Sequence, residues 1–205
     1  MEQDAALAQD LCARLCHDLV GPLGTVAGAI DLLGEDPEAA ELARDAAAVL
    51  RRRLKFWRAA CGAGTGPLSV QEALGLLEGL PAGGRATLRP EGLAETEVLG
   101  AAEAQLLLAA AMLAGEALPR GGVVRLLRHP GGGLAVLPEG RGAASPAALE
   151  AVLSGAAEPG PRTVLAAMLG RLALLSGWEV LLLPPGEGSA SAGEAAAALL
   201  LTPRG

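Results

Sequence analysis

Residues 17–22 read His17-Asp18-Leu19-Val20-Gly21-Pro22, which places an imidazole next to a carboxylate. Apolar residues around this stretch recur every three or four positions, which is the spacing of one face of a helix. They are Leu7, Leu11, Leu15, Leu19, Pro22, Val26, Ile30 and Leu33. The pattern predicts one long helix that ends at Gly34.

A second helix is predicted after a short connection. We expect Asp36 to cap it and Pro37 to take its first helical position. Its apolar face continues through Leu42, Ala46, Val49, Leu50, Leu54, Trp57 and Cys61. Two helices joined so closely should pack antiparallel, as a hairpin over residues 1–62. Each helix keeps apolar width that the hairpin cannot cover, so we expect a homodimer in which two hairpins form a four-helix bundle.

The helical spacing predicts that His17 faces water. At about 100° per residue, its side chain points about 200° away from Leu15 and Leu19. With the turn midway between the helices, residue 17 lies opposite a residue near 54, so the basic run Arg51–Arg58 flanks the histidine. Spacing alone leaves simpler interpretations open, namely a solvated histidine beside a surface acid, and a basic run that is only a solvated helix end.

The other candidate groups carry less chemistry. His129 lies in His129-Pro130-Gly131-Gly132-Gly133, a composition typical of a turn. Cys12, Cys16 and His17 suggest a zinc site, but His17 lies about 100° from Cys16 around the helix, and no fourth ligand is evident. We expect both cysteines to be small buried hydrophobic residues.

The composition is that of a globular protein. Of its 205 residues 51% are hydrophobic, with one Phe and no Tyr, which predicts a core of Leu, Ala and Val. The formal net charge of −7 argues against a nucleic-acid partner, and the apolar stretches are too short or too interrupted to span a membrane. Three cysteines and the acidic start Met1-Glu2-Gln3-Asp4 favour a reduced, cytoplasmic setting.

Residues 68–205 are predicted to form a second domain after a linker, Gly62–Pro67. Helices are expected near residues 69–79, 101–118, 146–154 and 161–175, and strands near residues 85–89, 123–128, 134–138, 178–183 and 195–202. Helices that alternate with strands joined by tight turns indicate an α/β sandwich, with helices on one face of a mixed sheet. The whole chain is therefore predicted to be an α+β protein.

The segment Leu11–Gly24 resembles the phospho-accepting helix of the ChpT-like histidine phosphotransferases, which itself resembles the dimerisation helix of sensor histidine kinases. In both, a His followed by an acid, and a few residues later by Pro, marks the phosphorylated site. The later stretch Ala117–Gly122 is similar to that family's second domain, a degenerate form of the histidine-kinase ATP-binding domain.

The resemblance implies a phosphotransferase that relays a phosphoryl group between the aspartates of response-regulator receiver domains, the receiver of a hybrid kinase being one candidate donor. It implies that His17 carries the phosphoryl group, that Asp18 orients the ring, and that the receiver supplies Mg²⁺. Contacts with the receiver are expected from Arg14, Gly21, Arg51, Arg53, Lys55 and Arg58.

ATP binding is not expected. A kinase of this type would use an asparagine to hold magnesium and an aspartate to bind adenine, but this chain has no Asn and no Asp after Asp45. Only Glu139 stands near the adenine-binding position, and the single lysine, Lys55, follows no phosphate-binding glycine motif. We expect no cofactor, no metal and no autokinase activity. Two alternatives stay open: a non-catalytic dimeric scaffold derived from a kinase, and a kinase with atypical nucleotide contacts.

Overall fold

The computed structural model describes residues 2–62, 65–145, 149–157, 163–184 and 195–204. Two long helices open the chain, α1 (Glu2–Asp31) and α2 (Ala39–Cys61). They pack along each other, which confirms the predicted helical hairpin. α1 continues through Pro22 without ending there.

The start of α2 differs from the prediction. Asp36 and Pro37 lie in the turn, and the residue that precedes the helix is Glu38, whose side chain forms no capping hydrogen bond. Asp36 Oδ1 instead accepts a hydrogen bond from the Glu38 backbone N–H at 2.8 Å. An aspartate that bonds the backbone two residues ahead closes a turn of its own. The helix therefore begins at Ala39, and the prediction that Pro37 is its first residue was wrong.

The end of α2 joins the hairpin to the rest of the protein. Phe56 and Trp57 are buried there, with their rings edge to face at a centroid distance of 5.4 Å. Both belong to the same hydrophobic core as the later helices and the sheet. The predicted Leu, Ala and Val core is confirmed, and this aromatic pair anchors it to the hairpin.

The remaining elements follow the predicted order closely. They are β1 (Leu68–Ser69), α3 (Val70–Leu77), a 3₁₀ helix (Pro81–Gly84), β2 (Ala86–Glu91), β3 (Val98–Leu99), α4 (Ala101–Glu116), β4 (Gly122–Arg128), β5 (Leu134–Glu139), α5 (Leu149–Leu153), α6 (Val164–Ser176), β6 (Trp178–Leu183) and β7 (Ala198–Pro203). The sequence pattern missed β1, β3 and the 3₁₀ helix, which are too short to show periodicity. Residues 63–64 of the predicted linker, and residues 146–148 and 161–162 of the predicted helices, lie outside the described residues.

The main sheet has five strands in the order β2-β4-β5-β7-β6. The β2–β4 pair is parallel and the other pairs are antiparallel, so the predicted mixed sheet is confirmed. Alternate residues on one face, such as Val124, Val136 and Leu201, are fully buried. The helices α4 and α6 cover that face, which gives the α/β sandwich.

α4 is the central helix of this sandwich. It is apolar on all sides, as is typical of a helix enclosed by other elements, and ten of its residues are buried. At its end, Gly115 lets the helix approach the 3₁₀ helix, because a Cβ there would lie 2.8 Å from Pro81 Cβ. Neither α4 nor any other helix within the described ranges has the length and hydropathy needed to cross a membrane.

Candidate functional site

His17 lies on the outer side of α1 with its imidazole open to solvent. Its side chain is 85% exposed, which agrees with the prediction from helical spacing. The ring Nδ1 faces Asp18 Oδ1 at 3.4 Å. This distance is long for a hydrogen bond. The ring is nevertheless oriented with Nδ1 toward the carboxylate and Nε2 on the solvent side.

Asp18 is held more firmly than His17. Its side chain is only 17% exposed, and its Oδ1 accepts a hydrogen bond from Arg14 Nε at 3.2 Å. The second arm of the same guanidinium, Arg14 Nη2, lies 2.7 Å from Glu116 Oε1 at the end of α4. Arg14 therefore connects Asp18, the neighbour of the histidine, to Glu116 of α4.

Pro22 explains a further contact at this level. Because proline has no backbone N–H, the carbonyl of the residue four positions earlier loses its helical donor. That residue is Asp18, and Arg53 Nη1 of α2 donates a hydrogen bond to the Asp18 carbonyl oxygen. The His-Asp-x-x-x-Pro spacing thus creates an acceptor that α2 satisfies. The contact also places residue 53 opposite residue 18, as the hairpin arithmetic predicts.

The other residues predicted to contact a partner lie apart from this cluster. Arg51, Lys55 and Arg58 are exposed and share one side of α2, at more than about 130° from Arg53 by helical geometry. Gly21 is exposed, and its carbonyl accepts a hydrogen bond from Thr25 Oγ1 at 3.2 Å. The structure therefore brings Arg14 and Arg53 to Asp18, whereas a contact of the other four residues with a partner stays a prediction.

The two cysteines do not have the predicted environment. Cys12 and Cys16 are exposed on α1, so the expectation that they are buried was wrong for the single chain. The reason is that they lie between the face packed on α2 and the face that bears His17. Among the described residues, no group of three or more His, Cys, Asp or Glu side chains could hold a metal ion.

His129 has the structural role that its surroundings predicted. It lies in the turn between β4 and β5, where its backbone N–H donates to the Gly133 carbonyl at 3.1 Å. The Gly131 backbone N–H donates to its Nδ1 at 3.2 Å. One ring nitrogen is thus an acceptor within the turn.

An ion-pair network covers the outer face of the sheet at the expected adenine-binding position. Arg125 contacts Glu139 at 2.8 Å and Glu91 at 2.6 Å. The hydrogen bonds from Arg125 hold the pKa of Glu91 below its usual range. Glu139, the acid singled out in the sequence, is therefore bound by a neighbouring strand's arginine.

Sequence analysis missed Glu116. It comes from a distant segment, so no spacing within the hairpin could predict its contact with Arg14. One signal was present, because it is an acid at the last position of an apolar helix, where the partial negative charge of the helix end disfavours a carboxylate. Burial raises the pKa of Glu116 above its usual value, although the nearby Arg14 opposes this shift.

Together the fold and the site define a protein with an exposed histidine on a helical hairpin joined to an α/β sandwich. A family model described as Histidine phosphotransferase C-terminal domain matches residues 70–188, which is more than half of the chain. The chain therefore belongs to the histidine phosphotransferase family.

Two similar proteins extend this finding. The protein phosphotransferase ChpT of Brucella abortus (strain 2308) is 32% identical over 117 residues, which cover 55% of this chain and 56% of that protein. The chain thus matches about half the length of this relative. A bacterial phosphotransferase of known structure is 26% identical, with a TM-score of 0.74 over 96% of each chain. The structural similarity extends over the hairpin, and the predicted α+β fold is confirmed.

Proposed function

We propose that this chain relays a phosphoryl group between the aspartates of receiver domains through a phosphohistidine at His17. The observation that carries the proposal is the exposed imidazole on a helix, 85% accessible, with Nδ1 directed at Asp18. An imidazole is nucleophilic in its neutral form near pH 7. An accessible Nε2 can therefore reach a phosphoryl group that a partner presents.

The partner would supply the rest of the chemistry. Phosphoryl transfer depends mainly on positioning and on stabilising charge, and a receiver domain would bring Mg²⁺ and an acidic pocket. Arg51, Lys55 and Arg58 form an exposed basic surface on α2 in a chain whose net charge is −7. Such a surface would attract the acidic pocket of a receiver and speed the encounter.

We also propose that the chain neither binds ATP nor phosphorylates itself. The sequence has no Asn, and Glu139 already contacts Arg125 at 2.8 Å. An adenine amino group would have to displace an arginine from that carboxylate. His17 would then depend on receiver domains for both the arrival and the departure of the phosphoryl group. Because such relays operate inside the cell, we propose a cytoplasmic location, with no nucleic-acid or membrane partner.

The experiment is transfer of label from a receiver domain phosphorylated with radioactive phosphate. We expect acid-labile label on this chain, complete loss of it in His17→Ala, and full labelling in His129→Ala, the matched control. Label that survives His17→Ala would contradict the proposal. Binding of the receiver without any transfer would favour the non-catalytic scaffold, and micromolar affinity for ATP would favour an atypical kinase.

A homodimer through the hairpin is the second part of the proposal. Val20 and Leu23 are 66% and 53% exposed, and Ile30 continues the same exposed apolar side of α1. Cys12 and Cys16 lie on this side as well, by helical geometry. A second hairpin packed here would complete a four-helix bundle and would cover both cysteines.

The dimer can be tested with one substitution. We expect Leu23→Asp to convert a dimer to a monomer in light scattering, whereas Leu175→Asp, at a more exposed leucine of α6, leaves the dimer intact. Maleimide should label Cys12 and Cys16 slowly in the dimer and several-fold faster in Leu23→Asp, with Cys61 as the internal reference. A monomer before substitution, or labelling rates that do not change, would exclude this interface.

A further inference from the structure

We propose that Glu116 is a positioning residue for His17, acting through Arg14 and Asp18. This inference rests on the proposed function. Glu116, at the end of α4, contacts Arg14 of α1. Arg14 contacts Asp18 one turn later on α1, and Asp18 faces the imidazole of His17. The three contacts form one continuous chain from the α/β sandwich to the ring that receives the phosphoryl group.

The geometry makes Arg14 the link. Its Nη2 lies 2.7 Å from Glu116 Oε1, and its Nε lies 3.2 Å from Asp18 Oδ1. A guanidinium is planar and rigid, so fixing one arm fixes the direction of the other. Arg14 and Glu116 are only 20% and 23% exposed, so water competes little for either. Without Glu116, the long side chain of Arg14 regains rotamer freedom and no longer holds Asp18 in one orientation.

The same carboxylate oxygen serves both neighbours of Asp18. Its Oδ1 accepts from Arg14 Nε at 3.2 Å and faces His17 Nδ1 at 3.4 Å. Held in this place, it favours the neutral ring form that carries its proton on Nδ1 and its lone pair on Nε2. In the transfer step the Nε2 lone pair forms the N–P bond, and the P–O bond to the receiver aspartate breaks with its electron pair on that carboxylate. The proton on Nδ1 stays between the ring and Asp18.

Stability alone does not account for Glu116. A carboxylate at a helix C-terminus meets the partial negative charge of the helix end, and burial raises the pKa of this group, which means that the fold disfavours its charged form. A buried ion pair is, in general, weak evidence for a stabilising role. What Glu116 does provide is a fixed charge on the rigid part of the protein, at the distance where it can orient Arg14.

The test compares Glu116→Ala, Glu116→Gln and the charge swap Arg14→Glu/Glu116→Arg, with Glu41→Ala as a control for net charge on exposed α2. One measurement is the His17 tautomer, from ring ¹⁵N resonances of the full chain assigned with His17→Ala. The other is the phosphotransfer rate from a phosphorylated receiver at increasing receiver concentration. Urea unfolding reports the stability of each variant.

For Glu116→Ala we expect the Nδ1–H to Nε2–H ratio of His17 to fall at least about threefold and the maximal transfer rate to fall about tenfold. The half-saturating receiver concentration should change less than about twofold, because the proposal has Glu116 act on the ring through Arg14 and not on the receiver. Glu116→Gln keeps an acceptor for Arg14 and should lie between Glu116→Ala and the unmodified chain. Glu41→Ala should match the unmodified chain.

The swap separates positioning from a simple clamp between α1 and α4. It restores an ion pair across the two helices, so we expect any stability that Glu116→Ala loses to return. It also places a glutamate beside Asp18, so we expect the tautomer ratio and the transfer rate to stay low. Recovery of all three would overturn the proposal, as would a Glu116→Ala variant with unchanged tautomer and rate. If the unmodified chain accepts no label, the proposed function fails, and the tautomer measurement still decides the role of Glu116.

Discussion

α1 and α4 are both rich in leucine and alanine, yet the protein buries them to very different extents. Ten residues of α4 are buried, whereas Ala29 is the only buried residue among the described side chains of α1. α4 is surrounded by α2, α6, the sheet and the 3₁₀ helix, while α1 packs mainly on α2. The buried core is therefore concentrated around α4, whereas α1 leaves His17 and several apolar side chains exposed.

The largest expected difference between the two helices is in the effect of truncating a leucine. Leu108→Ala should lower the free energy of unfolding by about 3–5 kcal/mol at any protein concentration, because it leaves a cavity inside the core. Leu23→Ala should cost less than about 0.5 kcal/mol in the monomer, and its cost should rise with protein concentration as the dimer forms. Urea unfolding at two protein concentrations measures both. Equal losses of unfolding free energy in the two variants, independent of protein concentration, would contradict the difference between α4 and α1.

Replacing a glycine by alanine should change the stability of the protein in opposite directions in the two helices. Gly115→Ala in α4 should destabilise the protein by about 1–3 kcal/mol, since its Cβ would lie 2.8 Å from Pro81 Cβ. Gly28→Ala in α1 meets no atom within 4 Å and should stabilise the helix by up to about 1 kcal/mol. Thermal unfolding gives both signs. A stabilising Gly115→Ala would show that α4 and the 3₁₀ helix can move apart at little cost.

Much of this architecture was predictable because it depends on periodic patterns. The helical repeat gave the hairpin and the outward direction of His17, and the position of residue 17 relative to the turn gave the level of Arg53. Beyond the hairpin, predicted helices that alternate with predicted strands joined by tight turns indicated the sandwich. The start of α2 was misplaced because Asp36 can cap a helix or close a turn with the same side chain, and only the geometry decides between them.

The parts that sequence could not predict depend on contacts between distant segments. Arg14 was expected to face a partner, but Glu116 of α4 engages it, and no local pattern encodes that contact. Cys12 and Cys16 were predicted to be buried because the role of small hydrophobic residues accounted for them better than a metal site did. The helical pattern alone could not show that their side of α1 stays uncovered in the single chain. The resemblance was based on Leu11–Gly24 for the site and on Ala117–Gly122 for the second domain, so site and fold were inferred from different parts of the chain.

A moderate effect is expected at the contact between the hairpin helices. Arg53→Met should cost about 1–2 kcal/mol, because the Asp18 carbonyl loses a charged donor in a partly buried position. Arg51→Met, on the exposed side of α2, should change stability by less than about 0.5 kcal/mol. In a Pro22→Ala background the helix regains its own donor for that carbonyl, so the cost of Arg53→Met should largely vanish. Additive costs in this double-mutant cycle would show that Pro22 does not create the need for Arg53.

The smallest expected effect is a difference in pH dependence between two carboxyl groups beyond the hairpin, Glu116 of α4 and Glu72 of α3. The pKa of Glu116 is raised by burial, so the folded state binds its proton more tightly than the unfolded state does. Its contribution to stability is therefore fully present below the unfolded value of 4.5 and is lost as the pH rises through the higher folded pKa. The stability of the unmodified chain relative to Glu116→Gln should fall with pH across this window.

Glu72 provides a control of opposite sign. Hydrogen bonds from the Ser69 backbone N–H and hydroxyl, at 2.7 and 2.8 Å, lower the pKa of this exposed carboxyl at the start of α3. Its contribution is present above the unfolded value and is lost as the pH falls, so the stability relative to Glu72→Gln should rise with pH. Urea unfolding of the three proteins between about pH 3 and 7, a range that brackets the usual carboxyl values, measures both slopes. Slopes of the same sign would mean that Glu116 stabilises the fold as a charged group, and its place beside Arg14 would then need no role at His17 to explain it.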